Sequence, residues 1–335
     1  MNRKIVFATA VAVCLAAEAS GQVIATPITE RSPQPALDLG VRLEAGQIWR
    51  QRLQLGLEQL EAEDAPRAKL EFSLRLECRE VTESGYRIEA AFHDWLFDFR
   101  ARGGRASWDG GKMRFEGWPL DRAESSCRTL LAAWAEGLRR ADLRFELARD
   151  GSILELHGLE PLEEEVRHAL GEIGSVPTGM LAYFGETGLQ RFRDSVQMSL
   201  FVARPTEPVE HGREWQSRCP ISGLLCGPAD LVRNYRLEGV EKERRHRLAV
   251  VDLQPRMETA SLVSGTAEDR LDSARDDVVT TAQAEAGQVP EKQPVHRLRL
   301  LLESGLTFSL DLVVEEPIPS GGGRVRFELH TNLIE

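Results

Sequence analysis

Apolar residues recur at every second position through long stretches of this chain, and that spacing constrains most of what it can fold into. From Trp49 they fall at Leu53, Leu55 and Leu57, again at Leu70, Phe72, Leu74, Leu76 and Cys78, and again at Tyr86, Ile88, Ala90 and Phe92. Side chains alternate between the two faces of a strand, so a period of two describes antiparallel strands with one face buried and the other wetted. Trp95, Phe97 and Phe99 continue the third run with the alternation shifted by one, as a β-bulge near Asp94 would cause. Gly103-Gly104 and Asp109-Gly110-Gly111 then bracket two short strands carrying Trp108, Met113 and Phe115.

The period changes after that. Ala123, Cys127, Leu130, Leu131, Trp134 and Leu138 share one helical face, which predicts a helix over about 121–139, with Asp121 and Glu124 in a capping-box-like start. Leu143, Phe145 and Leu147 lead into Asp150-Gly151, and Ile153, Leu154 and Leu156 follow, which signals a tight hairpin. Pro161 opens a second helix, with Glu163, Glu164 and Glu165 at its positive end and Leu162, Val166, Ala169, Leu170 and Ile173 on its buried face. Residues 178–202 fit both a helix and a strand pattern and are read as helical. Strands resume from Arg213 and close the chain over 295–302, 306–314 and 324–333. The expected fold is α+β: a large curved antiparallel sheet or half-open barrel, with two or three helices from the middle of the chain on its concave face or end.

The N-terminus reads as an export signal. Arg3 and Lys4 precede an uncharged, mostly apolar run from Ile5 to Ala17, and Ala17-Glu18-Ala19 supplies small residues for cleavage, so residues 1–19 are a signal peptide. That run is too short to span a bilayer, and no transmembrane segment is expected in the mature chain. Residues 20–40, with Pro27, Pro33 and Pro35, form a tether. A single β-rich domain over 41–335 follows, built of two similar halves, 41–157 and 205–335, around the helical middle. The halves echo each other: Gly46-x-x-Trp49 matches Gly212-x-x-Trp215, and Arg75 to Val81 resembles Arg236 to Val240. The stretch 256–294, poor in aromatics and rich in Ala, Asp, Glu, Thr and Ser, is expected to be a disordered excursion.

Charge excludes one class of partner. With 42 Lys plus Arg against 53 Asp plus Glu, the chain carries −11 and is not built to grip nucleic acid over a broad surface. The cations are nearly all arginine, an excess read as coding composition and given no functional role. In an oxidising, periplasmic or extracellular compartment, Cys78, Cys127, Cys219 and Cys226 are candidates for disulfides. The turn-rich loop between Cys219 and Cys226 favours joining those two, and Cys78 with Cys127. Cys78 bonded to Cys219 or Cys226, and buried free thiols, are the alternatives.

No nucleotide loop, G-x-S-x-G elbow or H-E-x-x-H helix occurs, and no catalytic, cofactor-binding or metal-ligating set is assigned. The Asp194-Ser195 dipeptide lacks the sharp turn of a serine nucleophile, and Glu61, Glu63 and Asp64 read as a solvated loop. The leading expectation is a non-enzymatic structural or interaction role. A carrier of a hydrophobic ligand or lipid in a half-barrel is the alternative, with a hydrolase lacking a recognisable motif below it.

The signal peptide, the two G-x-x-W segments, the strand-Asp150-Gly151-strand hairpin running into Gly158-Leu159, and the Tyr235-x-Leu237-x-Gly239-Val240 strand together resemble a family of uncharacterised exported bacterial β-rich proteins, a domain of unknown function. The resemblance covers roughly 41–335 and implies a fold class and an export route. It brings no activity or catalytic residues with it.

Overall fold

The computed structural model describes residues 35–60, 66–101, 104–109, 111–117, 121–173, 181, 183–200, 202–221, 229–259, 296–317 and 324–334. Beyond the first 34 residues these belong to one compact unit. The signal-peptide segment, most of the proposed excursion and the Cys226 loop lie outside the described residues.

The alternating runs form strands where the spacing predicts them. The first half gives β1 (Ile48–Gln59), β2 (Arg67–Val81), β3 (Gly85–Ala101), β4 (Gly104–Asp109), β5 (Lys112–Glu116), β6 (Asp142–Ala148) and β7 (Ile153–His157). The second gives β8 (Glu214–Ile221), β9 (Ala229–Glu243), β10 (His246–Thr259), β11 (His296–Leu301), β12 (Thr307–Pro317) and β13 (Arg324–Ile334). Between them run the helices α1 (Asp121–Arg140), α2 (Glu160–Glu172) and α3 (Glu186–Leu200). All thirteen strands belong to one open sheet in the order β5-β4-β3-β2-β1-β13-β12-β11-β10-β9-β8, with β6 added to β3 and β7 to β6. The pairings are antiparallel throughout, as one-sided burial requires. The fold is therefore α+β with a large antiparallel sheet that does not close into a barrel.

Two boundaries differ from the sequence reading. The folded part begins before Val41: Leu37 exchanges both backbone hydrogen bonds with Val209 at 2.8 Å, and Leu39 is buried. In addition, β10 continues through Arg256 to Thr259, paired with β9 back to Ala229, so the ladder reaches into the segment expected to be disordered. Composition registers the lack of aromatics there, but a strand needs only a partner edge.

The bulge at Asp94 divides the sheet. Between the pairs Glu71↔Leu96 and Ser73↔His93, β2 spends one residue where β3 spends two, and Asp94 takes φ +48°. The Ser73 hydroxyl donates to the His93 carbonyl and to the Asp94 carboxylate, holding the extra residue in place. On one side of the bulge β3 pairs with β6 over 85–91, and on the other with β4 over 96–101. The change of face thus also forks the outer edge of the sheet.

The two G-x-x-W segments have the same backbone geometry. Gly46 (φ +82°) donates to the Cys78 carbonyl at 2.7 Å, and the Cys78 N–H donates to Gln47 at 2.9 Å; Gly212 (φ +79°) and Arg213 do the same with Leu237 at 2.8 and 3.2 Å. Trp49 consequently lies opposite Leu76, and Trp215 opposite Tyr235. The structural counterpart of Leu76 is therefore Tyr235, two residues from the match the sequence echo makes. A positive φ at both turns is the reason each needs glycine.

On the inner face, Phe72, Phe92, Phe97 and Phe99 of the sheet meet Trp134 of α1, Phe192 of α3, and Tyr183 and Phe184, with neighbouring ring centroids 4.7 to 5.8 Å apart. Trp134 donates its indole N–H to the Phe184 carbonyl at 2.9 Å. α3 touches β1, β13 and β8 together, although five strand-to-strand steps separate β13 from β8 along the sheet. The second half of the sheet must therefore curl around α3 as a half-barrel.

The arginines have a structural use. Across the outer face they pair with carboxylates on the same or adjacent strands: Arg52 with Glu71 at 2.9 Å, Arg67 with Glu58 at 2.6 Å, Arg105 with both oxygens of Asp98 at 3.0 Å, and Arg326 with Glu315 at 2.7 Å. A planar fork that matches a carboxylate suits such ladders better than an ammonium, so the Arg excess is more than coding composition.

Trp49 and Trp215 are both buried. Trp49→Ala or Trp215→Ala should each destabilise by about 3–5 kcal/mol, read by denaturant unfolding; a loss below about 1 kcal/mol would show that these rings do not anchor the strand entries.

His330 on β13 bonds Asp311 on β12 at 2.8 Å, which raises the imidazole pKa and lowers that of the carboxyl. A raised histidine contributes stability that is complete below its unfolded pKa of about 6.5 and is lost as pH climbs through the folded value. His296, lowered by burial, acts in the other window, losing its contribution as pH falls below about 6.5. Between about pH 6 and about pH 8 the two histidines thus act in opposite senses, and His330→Gln should be more destabilising at pH 6 than at pH 8, read from unfolding free energies and seen as a changed pH slope. An unchanged slope in the variant would overturn the assignment.

Candidate functional site

The inner surface of the half-barrel carries polar groups at positions where strand parity calls for apolar ones. On β9 the inward residues are Leu231, Arg233, Tyr235 and Leu237, all buried; on β8 they are Trp215, Ser217, Cys219 and Ile221. α3 presents Arg191, Asp194, Ser195 and Ser199, also buried. Arg204, in the segment after α3, is 3% exposed.

These groups form a seam between α3 and the edge of the sheet. Arg233 donates from Nη1 to the Met198 carbonyl at 3.4 Å, and the Thr307 hydroxyl donates to the Leu200 carbonyl at 3.5 Å, so both occupy carbonyls left open at the C-terminus of α3. Tyr235 stacks on Trp215 at 5.2 Å, and its hydroxyl meets the Ser217 hydroxyl at 3.0 Å. Burial raises the Tyr235 pKa, with Arg233 and Arg204 both acting on the phenol in the opposite sense. Arg204 donates to the Leu39 carbonyl at 3.0 Å; burial lowers its pKa to about 10, so it remains charged at neutral pH. Burial also raises the Cys219 thiol, with Arg233 and Asp194 in electrostatic reach.

Where the seam reaches the surface there is a notch lined by Arg191, Asp194, Ser195, Met198, Leu231 and Phe327, with Ile221, Met257 and Val314 beside them. Its cavity volume is about 10 Å³, room for one water molecule. On the opposite face of the sheet a more open polar groove of about 300 Å³ on the same measure, far larger than the notch, runs over Gln54, Gly56, Lys69, Asp98, Arg100 and Glu328. Its cations and carboxylates alternate and largely pair with one another.

The residues singled out from the sequence are scattered. Cys78 is buried on β2 and directs its thiol at the Glu80 carbonyl at 3.7 Å; Cys127 is buried on α1. Cys219 lies on β8 in the seam, and its proposed partner Cys226 is outside the described residues. Ser195 is buried and donates to the Arg191 carbonyl at 2.7 Å, a helix-internal bond that leaves its hydroxyl unsuited to attack. Trp95 and Trp108 stack at 5.7 Å where the β3 edge forks, and Glu61, Glu63 and Asp64 lie outside the described residues. Sequence reasoning missed Arg191, Arg204 and Arg233. The available signal was parity: Arg233 falls on the apolar phase of its strand, between Leu231 and Tyr235.

No helix among the described residues is long and apolar enough to cross a membrane, and no group of three or more His, Cys, Asp or Glu is placed to hold a metal ion there. No family model matches this chain, and no curated protein does. Among solved structures, similarity is found to one titled "Lipid-protein interactions in lipovitellin", at 12% identity and a TM-score of 0.35, over 88% of this chain and 25% of that one. This chain thus spans about a quarter of that lipovitellin chain, and at such a score the likeness supports no assignment.

Proposed function

We propose that this is an exported binding protein that carries a small apolar molecule at the mouth of its second half-barrel. The observation that supports the reading is the notch beside α3, where Met198, Leu231, Met257, Val314 and Phe327 give an apolar wall beside Arg191, Asp194 and Ser195, and where side chains must part to admit more than one water molecule. Sites for small ligands have this composition: mostly apolar lining, with a small number of placed polar groups that set orientation. The aromatic cluster fills the space under α1 and α3, so the ligand rests in the mouth and not deep behind the helices.

The uncharged fluorescent probe N-phenyl-1-naphthylamine should bind the mature protein saturably, in the micromolar range. Met257→Trp, which fills the mouth from a half-buried position, should weaken it at least about tenfold, roughly what filling or emptying part of an apolar pocket does to binding. Without saturable binding, the carrier reading falls, and the structural or interaction role suggested by the sequence takes its place.

Export and the Cys219–Cys226 bond belong to the same proposal. Mass spectrometry of the secreted protein should find an N-terminus near Ser20, and non-reducing peptide mapping should recover Cys219 joined to Cys226. An intact Met1, or Cys78 joined to either of them, would overturn the respective part.

A further inference from the structure

The polar groove on the outer face has a glycine for its floor, and the backbone does not require one there. Gly56 sits in the interior of β1 without the positive φ that Gly46 and Gly212 have. Glycine inside a strand weakens it and commonly marks a place where another molecule comes close to the backbone. The ladder surrounds this gap with charge: Gly56 lies opposite Glu328 on β13 and Lys69 on β2, and Lys69 lies opposite Asp98 on β3. The next outward-facing row holds Arg326, Glu58, Arg67 and Arg100. The resulting hollow of about 300 Å³ is at the lower end of the range for small-molecule sites.

Not all of these charges are spent on one another. Glu328 makes no hydrogen bond or ion pair with the described residues, and its carboxylate leans over the gap, where a Cβ on Gly56 would stand 3.4 Å from Oε2. Arg326, two residues away on the same strand, is turned to Glu315 at 2.7 Å. On the far side of the gap Lys69 has one ion-pair contact, 3.4 Å to Glu71, whose other oxygen Arg52 holds at 2.9 Å. Arg100 also has one, 3.4 Å to Asp98, whose two oxygens Arg105 already takes at 3.0 Å. The groove therefore offers a free carboxylate on one side and two weakly engaged cations on the other. Glu328 and Lys69 both lie within electrostatic reach of His330, so the two charges face the same space.

We propose that this groove binds a short zwitterionic peptide, two or three residues long, with its α-ammonium against Glu328 and its α-carboxylate on Lys69 and Arg100. The length follows from the strand spacing. Glu328 and Lys69 stand on either side of β1, two inter-strand steps or about 10 Å apart, and an extended peptide covers about 3.5 Å per residue. A simple anion would face Glu328 uncompensated, and a simple cation would face Lys69 and Arg100. The site is on the opposite face of the sheet from the notch and does not depend on the carrier reading.

The test is calorimetric titration of the full-length protein with trialanine, with N-acetyl-trialanine, which lacks the ammonium, and with trialanine amide, which lacks the carboxylate. Trialanine should bind saturably, and each capped form should bind roughly 10–100-fold more weakly, the usual range for losing a hydrogen bond to a charged group. Glu328→Gln should bring trialanine to the affinity of its N-acetyl form and leave that form unchanged. Gly56→Val, which fills the floor, should abolish the binding of all three in a protein that still unfolds cooperatively. If Gly56 serves only to make room for the Glu328 side chain, no peptide binds the unaltered protein, and the proposal falls. Capped forms that bind as tightly as trialanine also overturn it, as does sodium acetate binding equally well, which shows a bare-anion site. The comparison of free and capped peptides on unaltered protein decides the matter even if neither variant folds.

Discussion

The pairing of β1 with β13 is the interaction on which the rest of the sheet depends. It joins the first and last strands among the described residues over ten residue pairs, from Arg50↔Ile334 to Gln59↔Val325, and so welds two sets of strands into one layer. Leu53, Leu55 and Leu57 share their face with Thr331, Leu329 and Phe327, which makes the seam between the halves part of the core. A slip of one residue would turn that entire row to solvent, so the register is set strongly by burial. Contacts between residues so distant in sequence carry a large loop-closure cost, which the local hairpins on either side must precede.

A second junction holds the same two halves at one end. The segment before β1 donates from Val41 to Arg149 and from Arg42 to Ser304, and the Tyr86 hydroxyl donates to the Val41 carbonyl. Arg204 bonds Asp150 through its backbone and Leu39 through its side chain, so one residue ties two other stretches of chain to its own. The turn at Gly305 packs so closely there that a Cβ would stand 2.3 Å from the Gly40 carbonyl oxygen, and its φ of +69° disfavours any other residue. One guanidinium donor of Arg204, Nη1, thus reaches a backbone carbonyl that the converging segments leave open, while Nε and Nη2 find no acceptor.

The helices decide what the curved sheet can hold. α1 and α3 fill the concave side with aromatic rings, and α3 lies against β1, β13 and β8, so the half-barrel is packed along its length, with a small notch near Met198 and Leu231. The outer face contributes differently: its arginines and carboxylates satisfy one another across strands, each exposed pair adding little alone. Together they keep a broad, solvent-facing sheet polar.

Much of this was legible in the residue order. The alternation from Trp49 to Phe99 determined the first three strands and the bulge at Asp94; the 3.6-residue spacing of Cys127, Leu131, Trp134 and Leu138 determined α1; and the glycines of the two G-x-x-W segments determined matching strand entries. These are local properties, because periodicity fixes which face of an element is buried and glycine fixes where the backbone takes a positive φ. Which strands become neighbours is a different matter. Nothing in the pattern of β1 indicates β13 as its partner, nothing in β3 shows that its edge divides between β6 and β4, and Arg233 reads like any other arginine until β9 curls its inward face over α3. Those outcomes follow from burial summed over the whole sheet, a tertiary quantity, and it is there, in the polar seam that breaks the apolar phase, that the candidate site was decided.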